Sequence, residues 1–170
     1  MTPVVKYWCC KIAPALIYEA MECIGGSGVM EDSIMPRLFR ESPVNAIWEG
    51  SGNVQCLDLL RVLNREPDTL KALLAELEEA RDRHPLFDAR LDALLVDLAD
   101  QQDIEMRARQ LMESLALLWQ SATLLVYGEA WIAQAFVSAR LAEKQYHQYG
   151  TLDKAIDVQA IVRRAMVTLA

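Results

Sequence analysis

Glycine and proline are concentrated at one end of this chain, and that distribution limits its fold more than any other feature. Five of seven glycines (Gly25, Gly26, Gly28, Gly50, Gly52) lie before residue 53, and all six prolines lie at or before Pro85. Glycine releases the backbone and proline removes a donor, so both punctuate regular structure. The part up to about Arg65 therefore reads as helix broken by tight turns, and the rest as nearly pure helix. No stretch alternates apolar and polar residues with the period of a strand. With 170 residues and 53% apolar side chains, such a chain can close a real core.

The spacing predicts a first helix over Thr2 to Ile24, kinked or divided at Pro14 and stopped by Gly25-Gly26. A short helix is expected from Ser33 to Arg40 with Pro36 in its first turn. Another opens just after Gly50 and runs to about Asn64, burying Cys56, Leu59, Leu60 and Leu63. Leu70, Leu73, Leu74 and Leu77 repeat at i, i+3, i+4, i+7, as do Leu91, Leu94, Leu95 and Leu98. Leu111, Leu115, Leu118, Ala122 and Leu125 continue on a longer helix. Gly128 and Gly150 bracket a helix carrying Trp131, Ile132, Phe136 and Leu141. A last helix is expected to start near Thr151 or Leu152 and to bury Val158, Ile161, Val162, Ala165 and Met166. Trp119 and Trp131 read as core or interface aromatics. The predicted fold is all-α, an up-and-down helical bundle, with a first part over 1–65 and an additional helical region over 66–170.

Charge narrows the function classes. Lys plus Arg is 17 against 24 Asp plus Glu, a net charge of −7. Residues 1–65 hold six basic and seven acidic side chains, and residues 66–170 hold 11 and 17. Nucleic-acid and anionic-lipid binders need the opposite balance. No apolar run is long enough for a membrane span. Met1 to Lys6 shows no signal peptide. Cys9, Cys10, Cys23 and Cys56 lack a zinc-like spacing and read as reduced, mostly buried thiols of a cytoplasmic protein. The two histidines, His84 and His147, are too distant in sequence for a shared motif. Glu143 and His147 at i, i+4 fit a surface pair, so no metal site is expected.

Two segments exceed what packing requires. Met21-Glu-Cys-Ile-Gly-Gly-Ser-Gly28 ends a helix in glycines: a helix cap, or bare backbone that a phosphate can approach. Asn45-Ala-Ile-Trp-Glu-Gly-Ser-Gly-Asn53 opens a helix. There Glu49 is either an acid welcomed by the helix N-terminus or a general base dried by Trp48. Ser51 and Asn53 suit capping or ligand binding.

Together, Ile24-Gly-Gly-Ser-Gly28, Pro36-Arg-Leu-Phe-Arg40 and Ile47-Trp-Glu-Gly-Ser-Gly-Asn53 resemble the C-terminal helical domain of flavin-dependent acyl-CoA dehydrogenases. The run from Arg40 to Arg61 is more similar still to the AidB-like, alkylation-response branch of that family. The resemblance is strong over about Lys6 to Leu63; the helical remainder resembles the extra C-terminal region of that branch. It implies that Glu49 is the catalytic carboxylate removing the α-proton of an acyl-CoA thioester. It implies FAD contacts at Gly50, Ser51 and Asn53. It also implies that Gly25 and Gly26 meet the FAD pyrophosphate of a neighbouring subunit. Arg40 matches a basic position near the cofactor or a subunit contact. Glu22 departs from the glutamine that many members carry before the glycine turn.

The resemblance leaves three functional expectations. The first is the C-terminal part of an acyl-CoA dehydrogenase-like oxidoreductase. The family's amino-terminal and middle domains have no counterpart here, so that fragment is expected to hold FAD poorly and to be inactive alone. The second is a fragment of a DNA alkylation-response flavoprotein, which the acidic charge opposes. The third is an inactive helical bundle that forms homo-oligomers.

Overall fold

A computed structural model describes residues 1–143 and 148–167. His147 lies outside them, so the Glu143–His147 pair is not described. The described residues form α1 (Thr2–Ile24), a 3-10 turn (Gly25–Val29), α2 (Met35–Glu41), a second 3-10 turn (Ser42–Ala46), α3 (Gly52–Arg65), α4 (Pro67–Glu78), α5 (Pro85–Ala99), α6 (Ile104–Tyr127), α7 (Ala130–Arg140) and α8 (Val158–Ala165). There is no strand among them. The all-α expectation holds. No helix among them is long and apolar enough to cross a membrane.

Proline and glycine act where the sequence placed them. α1 continues through Pro14 and ends at Gly25, whose φ of +73° closes the helix. α4 and α5 each begin on a proline, Pro67 and Pro85. That position needs no N–H. His84 caps α5, its Nδ1 accepting from the Leu86 amide at 3.1 Å. The buried imidazole thus has a structural task.

The core forms around α6, which packs against α1, α3, α4, α5 and α7. Leu111, Met112, Leu115 and Leu118 of α6 meet Leu59 and Leu60 of α3, Leu77 of α4, and Phe87, Leu91 and Leu94 of α5 in one continuous cluster. Val4 and Tyr7 of α1 belong to the same cluster. Burial raises the Tyr7 phenol above its ordinary range, and the nearby Cys56 adds to this while Arg109 opposes it. Polar stitches fasten the edges. Trp119 Nε1 donates to Glu76 at 2.7 Å, and Arg90 Nε donates to the Leu141 carbonyl at 2.9 Å. One core therefore spans the position where the sequence changes character, near residue 65.

The C-terminal elements differ from expectation. α7 stops at Arg140, well before Gly150. The last helix starts at Val158 rather than near Thr151, and it buries none of its residues. Val158, Val162, Ala165 and Met166 are exposed and Ile161 is only half-buried. The apolar side of α8 finds too little facing surface to cover it. A short amphipathic pattern reads alike for a core helix and a surface one. Trp131 is exposed while Trp119 is half-buried against the core. The cysteines also depart from the reading. All four are free, yet Cys56 is buried whereas Cys9 and Cys23 are exposed and Cys10 is half-buried. Cys9, Cys10 and Cys23 sit on α1, which carries apolar residues on more than its core-facing side.

α8 is held to α7 by Arg164, which donates to Glu129 at 3.0 Å. Glu129 also accepts from Trp131 Nε1 at 2.7 Å, and these two donors, the indole first, hold its carboxyl below the ordinary value of 4.5. A depressed folded pKa contributes fully above the ordinary value and is lost as pH falls through the lowered one. Trp131 fluorescence, isolated by comparison with Trp131→Phe, is expected to stay level from neutral pH to about 5 and to change only below 4.5. A transition nearer neutral pH would contradict this. Leu59→Ala, at a fully buried position, is expected to cost about 2–5 kcal/mol. Because the core is shared, urea should unfold the variant in one earlier transition. Two separate transitions would show that 1–65 and 66–170 fold apart.

Candidate functional site

The Trp48–Gly52 turn is built against the first turns of α1. Lys6 Nζ donates to the carbonyls of Trp48 at 3.0 Å and Gly50 at 2.6 Å. From the other side, Gln55 Nε2 donates to the Glu49 carbonyl at 3.1 Å. Glu49 takes a left-handed φ of +54°, followed by Gly50 at +104°. For a residue with a Cβ that conformation costs about 1–2 kcal/mol, so the surrounding bonds must impose it. The φ of Gly50 is what favours glycine there, and a Cβ would also push aside Gln55 Nε2, 2.5 Å away. Gly52 is buried, and a Cβ on it would meet Lys11 Cε at 2.8 Å and Tyr7 at 3.3 Å. Gly52 thus lets the turn lie close against α1, and Gly50 lets it close over Gln55 of α3.

Glu49 itself is exposed. Ile47 and Trp48 beside it are 68% and 60% exposed. Trp48 therefore does not dry the carboxylate within this chain. Ser51 occupies the N-cap position of α3 but makes no side-chain cap hydrogen bond. The Asn53 side-chain oxygen accepts from Arg109 Nε at 2.9 Å. The helical region after residue 65 thus reaches the site through α6.

The second predicted segment stands elsewhere. Gly25 and Gly26 follow the last turn of α1, while Lys6 marks the Glu49 turn near its start. The helix between them is roughly 27 Å long. One chain therefore does not bring the glycine turn and Glu49 together. A Cβ at Gly25 or Gly26 would meet nothing within 4 Å, and both residues are exposed. Their backbone is open to a ligand or a neighbouring molecule. Gly28, in contrast, is structural: a Cβ there would strike the Met21 carbonyl at 2.5 Å. Arg40 pairs with Glu31 through two hydrogen bonds, of 2.6 and 3.2 Å, and these hold the Glu31 carboxyl below its ordinary range. Glu22 is exposed beside the turn. No group of His, Cys, Asp and Glu among the described residues is placed to hold a metal ion.

Lys6, Gln55 and Arg109 are absent from the residues the sequence singled out. Gln55 left a trace, being a polar residue one position before Cys56 that shares a helix face with Leu59. Lys6 and Arg109 left none, because their partners lie more than forty residues away.

Comparison with known proteins agrees with the motif positions. Residues 1–64 match the family model for the acyl-CoA dehydrogenase C-terminal domain. AidB of Escherichia coli (strain K12), an acyl-CoA dehydrogenase by name, is 39% identical over 140 residues, 82% of this chain and 26% of its own length. Acyl-CoA dehydrogenase family member 11 of Caenorhabditis elegans is 42% identical over 79 residues, 46% of this chain and 13% of its own. The crystal structure of Caenorhabditis elegans ACDH-11 in complex with C11-CoA superposes with a TM-score of 0.69, covering 99% of this chain and 33% of that one. At 23% identity that likeness concerns the fold. The chain thus spans about a quarter of the length of the AidB relative. Residues 1–64 are thus identified with the C-terminal domain of the acyl-CoA dehydrogenase family, and the similarity to AidB extends over 82% of the chain.

Proposed function

We propose that this chain is the C-terminal part of an FAD-dependent acyl-CoA dehydrogenase-like flavoprotein, with Glu49 as the general base. The observation that carries the reading is the turn itself: an exposed carboxylate on backbone held at φ +54° by hydrogen bonds from two other helices. A base must present its oxygen at a fixed place to a weakly acidic C–H, and rigid positioning supplies much of the rate. The thioester carbonyl acidifies the α-hydrogen, which Glu49 takes as a proton. FAD, when bound, supplies the acceptor for the hydride leaving the β-carbon, and a carbon–carbon double bond remains. Ile47 and Trp48, exposed beside Glu49, offer apolar surface for an acyl chain. An acyl-CoA is present in the superposed Caenorhabditis elegans complex, which supports the same substrate class here.

The residues fit a flavin. Gly25 and Gly26 present bare, open backbone, where amides can meet a pyrophosphate. Gly50, Ser51 and Asn53 open α3 without a side-chain cap, which leaves first-turn amides available. Because the two segments stand at opposite ends of α1, Gly25 and Gly26 of a second copy would hold the pyrophosphate of a flavin that Gly50, Ser51 and Asn53 of the first copy would contact. Tyr18, Ile24, Val29, Met30 and Ile34, all about half exposed or more, give such a homo-oligomer apolar surface to bury. The isolated chain has few walls around these residues and holds FAD poorly on this reading. Four free cysteines suit a reducing, cytoplasmic setting. Nucleic acid is not favoured: Arg164 is engaged by Glu129, and Arg163 lies 3.7 Å from Asp157.

In a chimera that places this chain in the matching segment of the AidB relative, acyl-CoA is expected to bleach the flavin. Glu49→Gln should slow bleaching by about 10²–10⁴-fold. Undiminished bleaching in that variant would remove Glu49 from catalysis. Light scattering of the 170-residue chain is expected to give a dimer or larger species, and Ile24→Glu with Met30→Glu to shift it toward monomer. A monomer in the unaltered chain would contradict the assembly.

A further inference from the structure

We infer that Lys6 is the positioning residue of the Glu49 turn. This rests on the reading of Glu49 as the base, but the physical claim concerns the backbone and is tested separately. Three successive carbonyls, of Trp48, Glu49 and Gly50, accept hydrogen bonds from two side chains. Lys6 takes the first and third, at 3.0 and 2.6 Å, and Gln55 takes the second at 3.1 Å and makes a longer contact of 3.5 Å with the third. Satisfying all three requires the chain to reverse at Glu49 and Gly50, which accounts for φ values of +54° and +104° in sequence.

The donors suit the task. Lys6 is charged, and its bonds to carbonyls are stronger than neutral ones. It projects from α1, whose neighbouring Val4 and Tyr7 are buried in the core, so its anchor does not move with the turn. Gln55 is buried on α3 and approaches from the other side. Removing the Gln55 contacts leaves the two Lys6 bonds; removing Lys6 leaves the Trp48 carbonyl without a donor and the Gly50 carbonyl with only the long 3.5 Å contact from Gln55. Lys6 therefore carries the larger share of the constraint. It does not touch a reacting atom and acts through the position of Glu49. Neither donor lies in the Ile47–Asn53 motif, so the motif alone does not fix the geometry its carboxylate needs.

Nuclear magnetic resonance on the unaltered 170-residue chain tests this directly. The Lys6 ammonium is expected to give a slowly exchanging ¹⁵N–¹H signal with couplings across hydrogen bonds to the carbonyl carbons of residues 48 and 50. Absence of both couplings overturns the proposal, and that result needs no variant to fold. In Lys6→Met, the one-bond Cα–Hα coupling of Glu49 should lose its positive-φ value. Amide exchange across residues 49–52 should quicken at least tenfold, with α4 to α6 unchanged. An unaltered coupling and exchange rate in Lys6→Met also overturns it. In the flavin-bearing chimera, Lys6→Met should lower kcat while leaving KM for acyl-CoA nearly unchanged. An equal kcat with a released turn overturns the positioning role. Full activity in Glu49→Gln with the turn intact sinks the base reading instead, so the two failures are distinguishable.

Discussion

The apolar surface of α6 is what the other large helices are placed against. Its buried leucines and Met112 face α3, α4 and α5 in one cluster, and α1 and α7 close the remaining sides. Hydrophobic burial is non-directional, so it sets which helices meet without setting the fine geometry of the loops between them. That geometry comes from polar contacts at the margins. The Glu49 turn is the main instance, because it lies between α1 and α3, both docked on α6. Its backbone is forced into a left-handed conformation by donors that the core holds still. The site is thus rigid at its base and open on its outer side.

Much of the fold was legible in the sequence. The leucine stripes of α4, α5 and α6 predict the buried faces, and Pro67, Pro85 and Gly25 mark helix ends where the structure has them. These signals work because they are local: a helix face repeats within one element, and proline or glycine acts on its own φ. α8 escaped for a related reason. Its amphipathic pattern is genuine, but whether an apolar stripe is buried depends on a facing surface that one segment does not reveal. The same limit applies to Cys9 and Cys23, whose exposure is set by which side of α1 meets α3 and α6.

The site was legible as a motif and not as an arrangement. Glu49, Gly50 and Ser51 are contiguous on one turn, and Asn53 follows in the first turn of α3. Gly25 and Gly26 belong to the same family pattern yet stand a whole helix away. Their separation is a consequence of α1 being one long element, and it explains how a glycine turn at the unfavourable end of a helix for phosphate can still take part, if it meets the ligand of another copy. Lys6 and Gln55 escape any reading of the motif because they act on its backbone from helices before and after it.

The bond from Arg109 to the Asn53 side-chain oxygen also crosses the boundary between the two parts of the sequence. That contact joins the Asn53 side-chain oxygen to a permanent cation. Arg109 lies on α6, beyond the 64 residues that match the family model. The helical extension consequently does more than lengthen the bundle: it holds one side chain of the family motif from outside that motif.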